Sequence, residues 1–540
     1  MEKRKISIRK PVFVTMLILY AVIILVGLVS PDTFAAAEGA IVNFAASGFG
    51  WLYDLTALVL LFFCVWIMCS KKIGSIRLGG EHAKPIMSRW SWFVISLCGG
   101  IATGIVFWGI AEPVTHFMSP IPGFGYEAQS AQGALYALST CYMHWGPMLY
   151  AFYAVAGVGI GIAVYNLKLP YRVCSCLYPI LGKKAMGAIG TVVDILCLFG
   201  LAGGVSASLG VSAMQLGAGL GLLTGLTPSN VVWTVILLTI VISFIISSYT
   251  GIGRGVRFLS DKNAKIYMGM LVFVLLFGPT KYILNMTTEA LGFHMTNFMR
   301  QATYLDVFEG GMWPTWWTLN YWSFMIAYTP LIGMFLAKIA RGRTLKEFIT
   351  YNFILPGAFG VLWFGIFGSA ALHIEQNSGG IWDSMQKLGT ESAVFAFFEH
   401  FPLSKVLSAI FMLTAFLSVV TLSDSMTTTI SSLSINAKNA ATVEPPAKVK
   451  IFWGVVMSAL ALVNIVTANN VGKVSGIDAT KQLAIVAAFP LLFVIVAIIF
   501  STAKMLLQYH KYDTVDHPED SVVESELVVE HEEEQGEAEA

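Results

Sequence analysis

The chain has 540 residues, of which 56% are apolar or aromatic and 12% are charged, with 33 basic against 32 acidic residues. A soluble chain of this size needs roughly a quarter charged residues to cover its surface, so most of this surface faces lipid. The near-neutral balance offers nothing to nucleic acid, and the absence of Walker, HExxH and catalytic-triad spacings leaves ATP hydrolysis and enzyme chemistry without support.

The runs 12–30, 51–70 and 485–501 lack Lys and Arg and are long enough, or nearly so for the last, to cross about 30 Å of hydrocarbon as helices. Hydropathy and charge breaks predict about twelve spans: 12–30, 50–70, 90–116, 132–165, 186–220, 231–250, 263–285, 315–337, 349–372, 403–436, 451–468 and 482–503. They are numbered one to twelve below. The first is read as a retained span, because its apolar run is too long for a signal peptide and lacks a small-residue cleavage site. Placing both termini in the cytoplasm puts 27 of the 33 basic residues in cytoplasmic loops, and an error of one span would invert half of those loops. The seven cysteines, all before residue 200, have no metal-site spacing and read as small apolar packing residues. From residue 513 the chain is polar and rich in Glu, which predicts a disordered acidic tail.

Span three carries Gly99, Gly100 and Gly104 around Ile101. Such a concentration loosens a helix, and irregular backbone at membrane depth lines cavities or is buried in protein. Transporters use such breaks to hold ions and substrates, although small residues also permit close helix packing. Span four offers His144, Trp145, Tyr150 and Tyr153. In span eight, Trp317, Tyr321, Phe324 and Tyr328 follow i, i+4, i+7, i+11 and share one helix face. Aromatic faces around a desolvated pocket bind quaternary ammonium at ~2 kcal/mol or more per good contact. Plain packing, with Trp313 and Trp316 in an interfacial belt, is the competing reading. Glu112, Asp194 and Asp424, with His144, are the ionisable groups inside spans and therefore functional candidates. Asp424 sits among Thr421, Ser423 and Ser425, oxygens that suit a hard cation or a proton relay, or that only cross-bond helices.

At these residues the chain resembles the betaine/choline/carnitine transporter family, from about residue 10 to 505. The matching pieces are Phe107-Trp108-Gly109 with Glu112-Pro113, His144-Trp145-Gly146-Pro147, and Gly255-Val256-Arg257 with Ser260-Asp261. They continue with Trp317-Thr318, Tyr321-Trp322 and the segment 335–344. The resemblance implies an all-α, LeuT-like five-plus-five inverted repeat preceded by two extra helices. The chain would divide into a basic N-terminus (1–11), two peripheral helices (12–89) and a first repeat (90–285). An extracellular connector (286–314), a second repeat (315–503) and the cytoplasmic tail (504–540) would follow.

It further implies a secondary transporter of glycine betaine, choline or carnitine type in the cell inner membrane, assembled as a homotrimer, with no enzymatic activity and no cofactor beyond a coupling ion. Its aromatic box would be Trp145, Tyr150, Tyr153, Trp317, Tyr321, Phe324, Met325 and Tyr328. Met325 stands where the family has a tryptophan that is a main cation–π partner, and Ser323 or Tyr150 could instead hydrogen-bond a less methylated nitrogen. The ion-coupling candidates are Gly100, Ile101, Gly104, Glu112, Asn263, Thr421, Ser423 and Asp424. Leu422 departs from the hydroxyl pair of sodium-driven members, and neutral Asn263 departs from the Arg of the sodium-independent exchanger. Proton coupling through Glu112 or Asp424, sodium held by Thr421, Ser423 and backbone carbonyls, and exchange without an ion therefore all remain in play. The acidic tail, unlike the basic extensions of osmosensing members, points to a nutrient carrier. A same-fold amine or amino-acid carrier and a non-transporting receptor are the rival readings.

Overall fold

The structure, a computed structural model, describes residues 7–101, 104–250, 257–436, 445–471 and 476–528. Among these residues, nine helices are long and apolar enough to cross a membrane, or ten with one sharply bent pair counted as a single span. Span three, as Arg89–Ile101 and Gly104–Met118, and span eight, as Thr318–Lys338, supply the other two of the expected twelve. Ala102 and Thr103, at the heart of the glycine-rich stretch, lie outside the described residues.

Spans one and two are the helices Lys10–Val29 and Pro31–Cys69, joined at Ser30. Span five, Ala188–Thr224, and span ten, Ser404–Leu433, run through the centre of the bundle. Span five packs on spans eight, eleven and twelve; span ten packs on spans three, six and seven. Exchanging the two five-helix halves turns one set of neighbours into the other, as an inverted repeat requires.

Three features differ from the sequence expectation. Span seven ends at Phe277 rather than 285, because Gly278-Pro279 breaks the helix and the chain turns by 110°. The expected connector is then largely a helix, Thr280–Ala302, packed on span four. It is tied there by Ser139, whose hydroxyl meets His294 Nδ1 at 3.1 Å and donates to Gln301 Oε1 at 2.6 Å. Asp194, read as a membrane-embedded candidate, is held by Arg9 at 2.7 Å and Arg172 at 2.8 Å beside the antiparallel pairing of Ser7–Ile8 with Ile435–Asn436. It closes the end of the bundle where both termini lie.

The third difference is the tail, of which residues 529–540 lie outside the described residues. Residues 513–528 are not a loose segment but dock on that same end. Thr514 N–H donates to Asn166 O at 2.9 Å, and Val522 N–H to Lys511 O at 2.8 Å. Tyr512 and Val523 are buried, and burial pushes the Asp513 carboxyl up. Lys183 pairs with Glu526 at 2.6 Å and also with Glu524. The segment has too little apolar surface to fold alone but enough to cover a face already formed. Charge reversal, Lys183→Glu, sets three carboxylates together and is expected to release it. Tryptic cleavage after Lys511 should then accelerate roughly three- to ten-fold, and moderate salt should partly mimic the change.

Candidate functional site

Span four leaves the helix at Gly146, whose φ of −87° and ψ of −152° separate Ala131–Trp145 from Pro147–Tyr165. Pro147 has no N–H to lose and a fixed φ suited to a first helical turn, so it starts the second helix. Span nine seals the break. A Cβ on Gly360 would stand 2.1 Å from the carbonyl oxygen of Trp145, and one on Gly357 would stand 2.8 Å from Cα of Pro147. The same span carries a π-type turn at Phe364–Gly368, which presents Phe364 to the Trp145 indole, stacked at 5.6 Å.

Glu112, wholly buried on Gly104–Met118, joins three spans. Its Oε2 accepts the Trp145 indole N–H at 2.7 Å and the Tyr321 hydroxyl at 2.6 Å. Its Oε1 faces His144 Nδ1 at 2.6 Å and His116 Nε2 at 3.5 Å. A separation of 2.6 Å is that of a hydrogen bond, and Glu112, His116 and His144 each offer a ligand atom within 4.8 Å of the others, so the three could also hold a metal ion. His144 also stacks on Tyr321 at 4.5 Å and meets Thr318 Oγ1 through Nε2 at 3.2 Å. Trp108 lies edge-on to Trp317 at 6.1 Å and to Tyr321 at 6.3 Å. Gly104 leaves room for Trp145, whose ring would lie 2.8 Å from a Cβ there.

Further along the two helices is a second tier. The Tyr153 hydroxyl donates to Met325 Sδ at 2.9 Å, and the Tyr328 hydroxyl shares a hydrogen bond with Ser208 of span five at 2.8 Å. Phe324 tilts on Tyr328 at 5.0 Å, and Gly204 admits the Tyr328 ring so closely that a Cβ would lie 2.5 Å away. Tyr150 is buried within electrostatic reach of Tyr153, and its hydroxyl has no hydrogen-bond partner among the described residues. The eight box residues of the sequence reading therefore occupy two tiers: Trp145, Trp317 and Tyr321 above, and Tyr150, Tyr153, Phe324, Met325 and Tyr328 below. Trp317 does not continue the span-eight stripe as a helical residue; with φ −113° and ψ −83° it joins Trp313–Trp316 to Thr318–Lys338. Ser323 lies beside Tyr53 of span two, next to Trp322, whose indole donates to Asp54 at 3.0 Å and whose ring lies edge-on to His144 at 5.9 Å.

The ion-coupling candidates separate into distinct places. Gly100 and Ile101 close the helix Arg89–Ile101, whereas Gly104 and Glu112 stand with the upper tier. Asn263 Nδ2 donates to Ser418 Oγ at 2.7 Å between spans seven and ten, and Tyr267 bonds the same hydroxyl. Thr421 donates back to Leu417 O of its own helix at 2.8 Å, and the buried Ser423 hydroxyl has no hydrogen-bond partner among the described residues. Asp424 accepts from Ser247 of span six at 2.6 Å. The sequence reading gave no role to His116, Phe364, Ser208, Tyr267 or Ser418. For His116 the signal was its position four residues after Glu112.

Two leading helices followed by two exchanged five-span halves, with a broken helix beside a buried aromatic cage, define a multi-pass membrane transporter. The chain belongs to the betaine/carnitine/choline transporter family, whose model matches residues 11–511. It is 31% identical over 513 residues to the glycine betaine transporter OpuD of Bacillus subtilis, covering 94% of this chain and 97% of the relative. It is 30% identical to the high-affinity choline transport protein of Escherichia coli K12 (94% and 73%), and 28% identical to the ectoine/hydroxyectoine transporter of Virgibacillus pantothenticus (94% and 98%). A solved Na+-coupled sialic acid symporter, substrate-bound and outward-open, is similar at 15% identity and a TM-score of 0.49, covering 85% of this chain and 86% of its own.

Proposed function

We propose that the chain imports a small methylated amine or betaine-type zwitterion, of the glycine betaine, choline or carnitine class, by alternating access through the aromatic cage between spans four and eight. The observation that carries this reading is the lower tier. Tyr150, Tyr153, Phe324 and Tyr328 offer ring faces and neutral hydroxyls around Met325, and all but Phe324 are buried. Such a site suits a bulky, weakly hydrated cation that must also be released. The orientation has both termini cytoplasmic in the cell inner membrane, and the assembly is the homotrimer that the family resemblance implies. Two carboxylates of the tail pair with the chain's own Lys183, and a tail of this sign is repelled by anionic lipid rather than drawn to it, which supports a nutrient carrier.

A second reading, a less methylated amine, is favoured by the Tyr150 hydroxyl, which has a hydrogen bond to offer. Uptake of labelled glycine betaine, choline, carnitine and dimethylglycine into proteoliposomes separates the two. Saturable uptake of a trimethylated compound is expected; uptake of dimethylglycine alone would favour the second reading, and uptake of none would reject the methylated class.

Met325 sets a further expectation. Its thioether takes the Tyr153 hydroxyl where a tryptophan would offer a π-face. Met325→Trp is expected to tighten glycine betaine binding roughly ten-fold, one cation–π contact. Calorimetric affinity unchanged from wild type would mean that this position does not face the bound nitrogen.

A further inference from the structure

We infer that Gln215 of span five is the second anchor of the cargo site, holding a carboxylate at the end of the molecule opposite its ammonium, so that the carrier selects a zwitterion over a plain methylated cation. The inference rests on the transport reading above and narrows its cargo.

Gln215 is 1% exposed, and neither its amide nitrogen nor its amide oxygen has a hydrogen-bond partner among the described residues. A primary amide carries two N–H donors and an oxygen with two lone pairs, and burying them unpaired costs more than one made bond returns. Such a group deep in a bundle calls for a partner that the chain itself does not supply.

The helix places that amide over the cage. Gly204, Ser208, Gln215 and Gly219 follow i, i+4, i+11 and i+15, within about 60° of one another around the axis. Gly204 and Ser208 both meet Tyr328, and a Cβ on Gly219 would lie 2.5 Å from the Phe395 ring and 2.7 Å from Met412 Sδ. Gln215 therefore faces the space between Tyr328 and that outer pair. Seven residues, about 10.5 Å of helix, separate it from Ser208. The same seven residues separate Tyr328 from Tyr321, and spans five and eight, one odd and one even, run antiparallel and in contact. Gln215 thus stands at about the level of Tyr321. Its side chain leans toward the start of its own helix, which is the direction of Ser208 and the lower tier.

The chemistry of these groups selects the ligand. The lower tier offers ring faces to a methylated nitrogen but no carboxylate of its own, and Glu112 above it has both oxygens engaged by Trp145, Tyr321 and His144. A bare cation would enter as an uncompensated buried charge, whereas a zwitterion brings its own counter-charge and enters neutral. Its carboxylate only accepts hydrogen bonds, and the two N–H groups of Gln215 are donors that carry no charge. A neutral donor holds the carboxylate yet lets it leave, as the neutral rings do for the ammonium. The Tyr150 hydroxyl, also unpartnered, belongs to span four and lies beside Tyr153 among the rings, at the nitrogen end.

The test is calorimetric binding of glycine betaine, choline and tetramethylammonium to the detergent-purified full chain. Tetramethylammonium has the ammonium end and nothing else, so it reads the rings alone; glycine betaine adds the carboxylate. Wild type is expected to bind glycine betaine at least roughly ten-fold more tightly than tetramethylammonium. Gln215→Met keeps much of the shape without the amide, and is expected to bring the two within about three-fold by weakening glycine betaine alone. Gln215→Glu meets a carboxylate with an acceptor of like charge, and is expected to bind choline more tightly than glycine betaine. A variant that merely unsettled the bundle would weaken all three ligands together, so the ratio of affinities reads the anchor itself. An unchanged ratio in both variants would overturn the anchor and leave the cage standing. Equal wild-type affinity for glycine betaine and tetramethylammonium would overturn the preference for a zwitterion, whatever the variants do. Binding of none of the three by wild type would fault the cage, and the inference with it.

Discussion

Trp145→Ala is expected to abolish saturable uptake, with affinity for the transported betaine or amine falling at least roughly a hundred-fold, and Tyr328→Ala is expected to do the same. Trp145 is at once a face of the upper tier, stacked on Phe364 and edge-on to Tyr321, and a donor to Glu112. Removing it takes away a π-face worth ~2 kcal/mol or more and leaves one lone pair of a buried carboxylate without its partner. Tyr328 closes the lower tier against Ser208 and Gly204. Two milder variants separate binding from folding. Trp145→Phe keeps a ring and loses the indole N–H; Tyr328→Phe keeps the ring and loses the Ser208 bond. Both are expected to bind more weakly than wild type and far more tightly than the alanine variants. Trp313→Ala, which removes a ring packed on Tyr136 and Tyr304 outside the cage, should shift affinity less than about two-fold. Wild-type affinity in Tyr328→Ala, measured by calorimetry on detergent-purified protein, would move the site elsewhere.

What the amino-acid sequence revealed follows from what each feature depends on. The spans were legible because lipid demands long apolar runs and the loops carry their charge asymmetry openly. The cage aromatics were legible because residue type and helical spacing are local properties. The Glu112 hub was not, since it exists only where spans three, four and eight converge, and spacing within one span says nothing of that meeting. Ser323 lies beside Tyr53 of span two, and no single-helix pattern reveals which neighbour stands there. The tail illustrates the reverse case. Its composition speaks against independent folding, but the docking of residues 513–528 on Lys183, Asn166 and Tyr178 depends on a surface built by distant residues. In span four the Gly146-Pro147 pair was on view as part of a motif yet was read as continuous helix. A proline preceded by glycine, with an aromatic before them, is a stop and a start as readily as a kink.

That break makes the second large effect a steric one. Gly360→Ala is expected to cut transport at least roughly ten-fold and to lower stability by about 1–3 kcal/mol, the usual cost of forcing a methyl into a filled space. The new Cβ would meet the Trp145 carbonyl oxygen at 2.1 Å and its carbonyl carbon at 3.1 Å. Both are backbone atoms, so no side chain can rotate aside; either span nine retreats or the Gly146 turn moves. Moving the turn carries the Trp145 indole away from Glu112 and Phe364, which turns a packing defect into a defect of the cage. Gly269→Ala is the matched control, because a Cβ there has nothing within 4 Å. It should transport normally, and it removes a flexible residue from a helix interior. Thermal unfolding monitored by the native cysteines, all buried except Cys69, reads the stability part, and counterflow reads the cage. If Gly360→Ala unfolds early yet exchanges cargo with wild-type affinity, span nine gives way and the turn at Gly146 is fixed by span four alone. If affinity falls with stability, the contact between Gly360 and Trp145 is what sets the position of the ring.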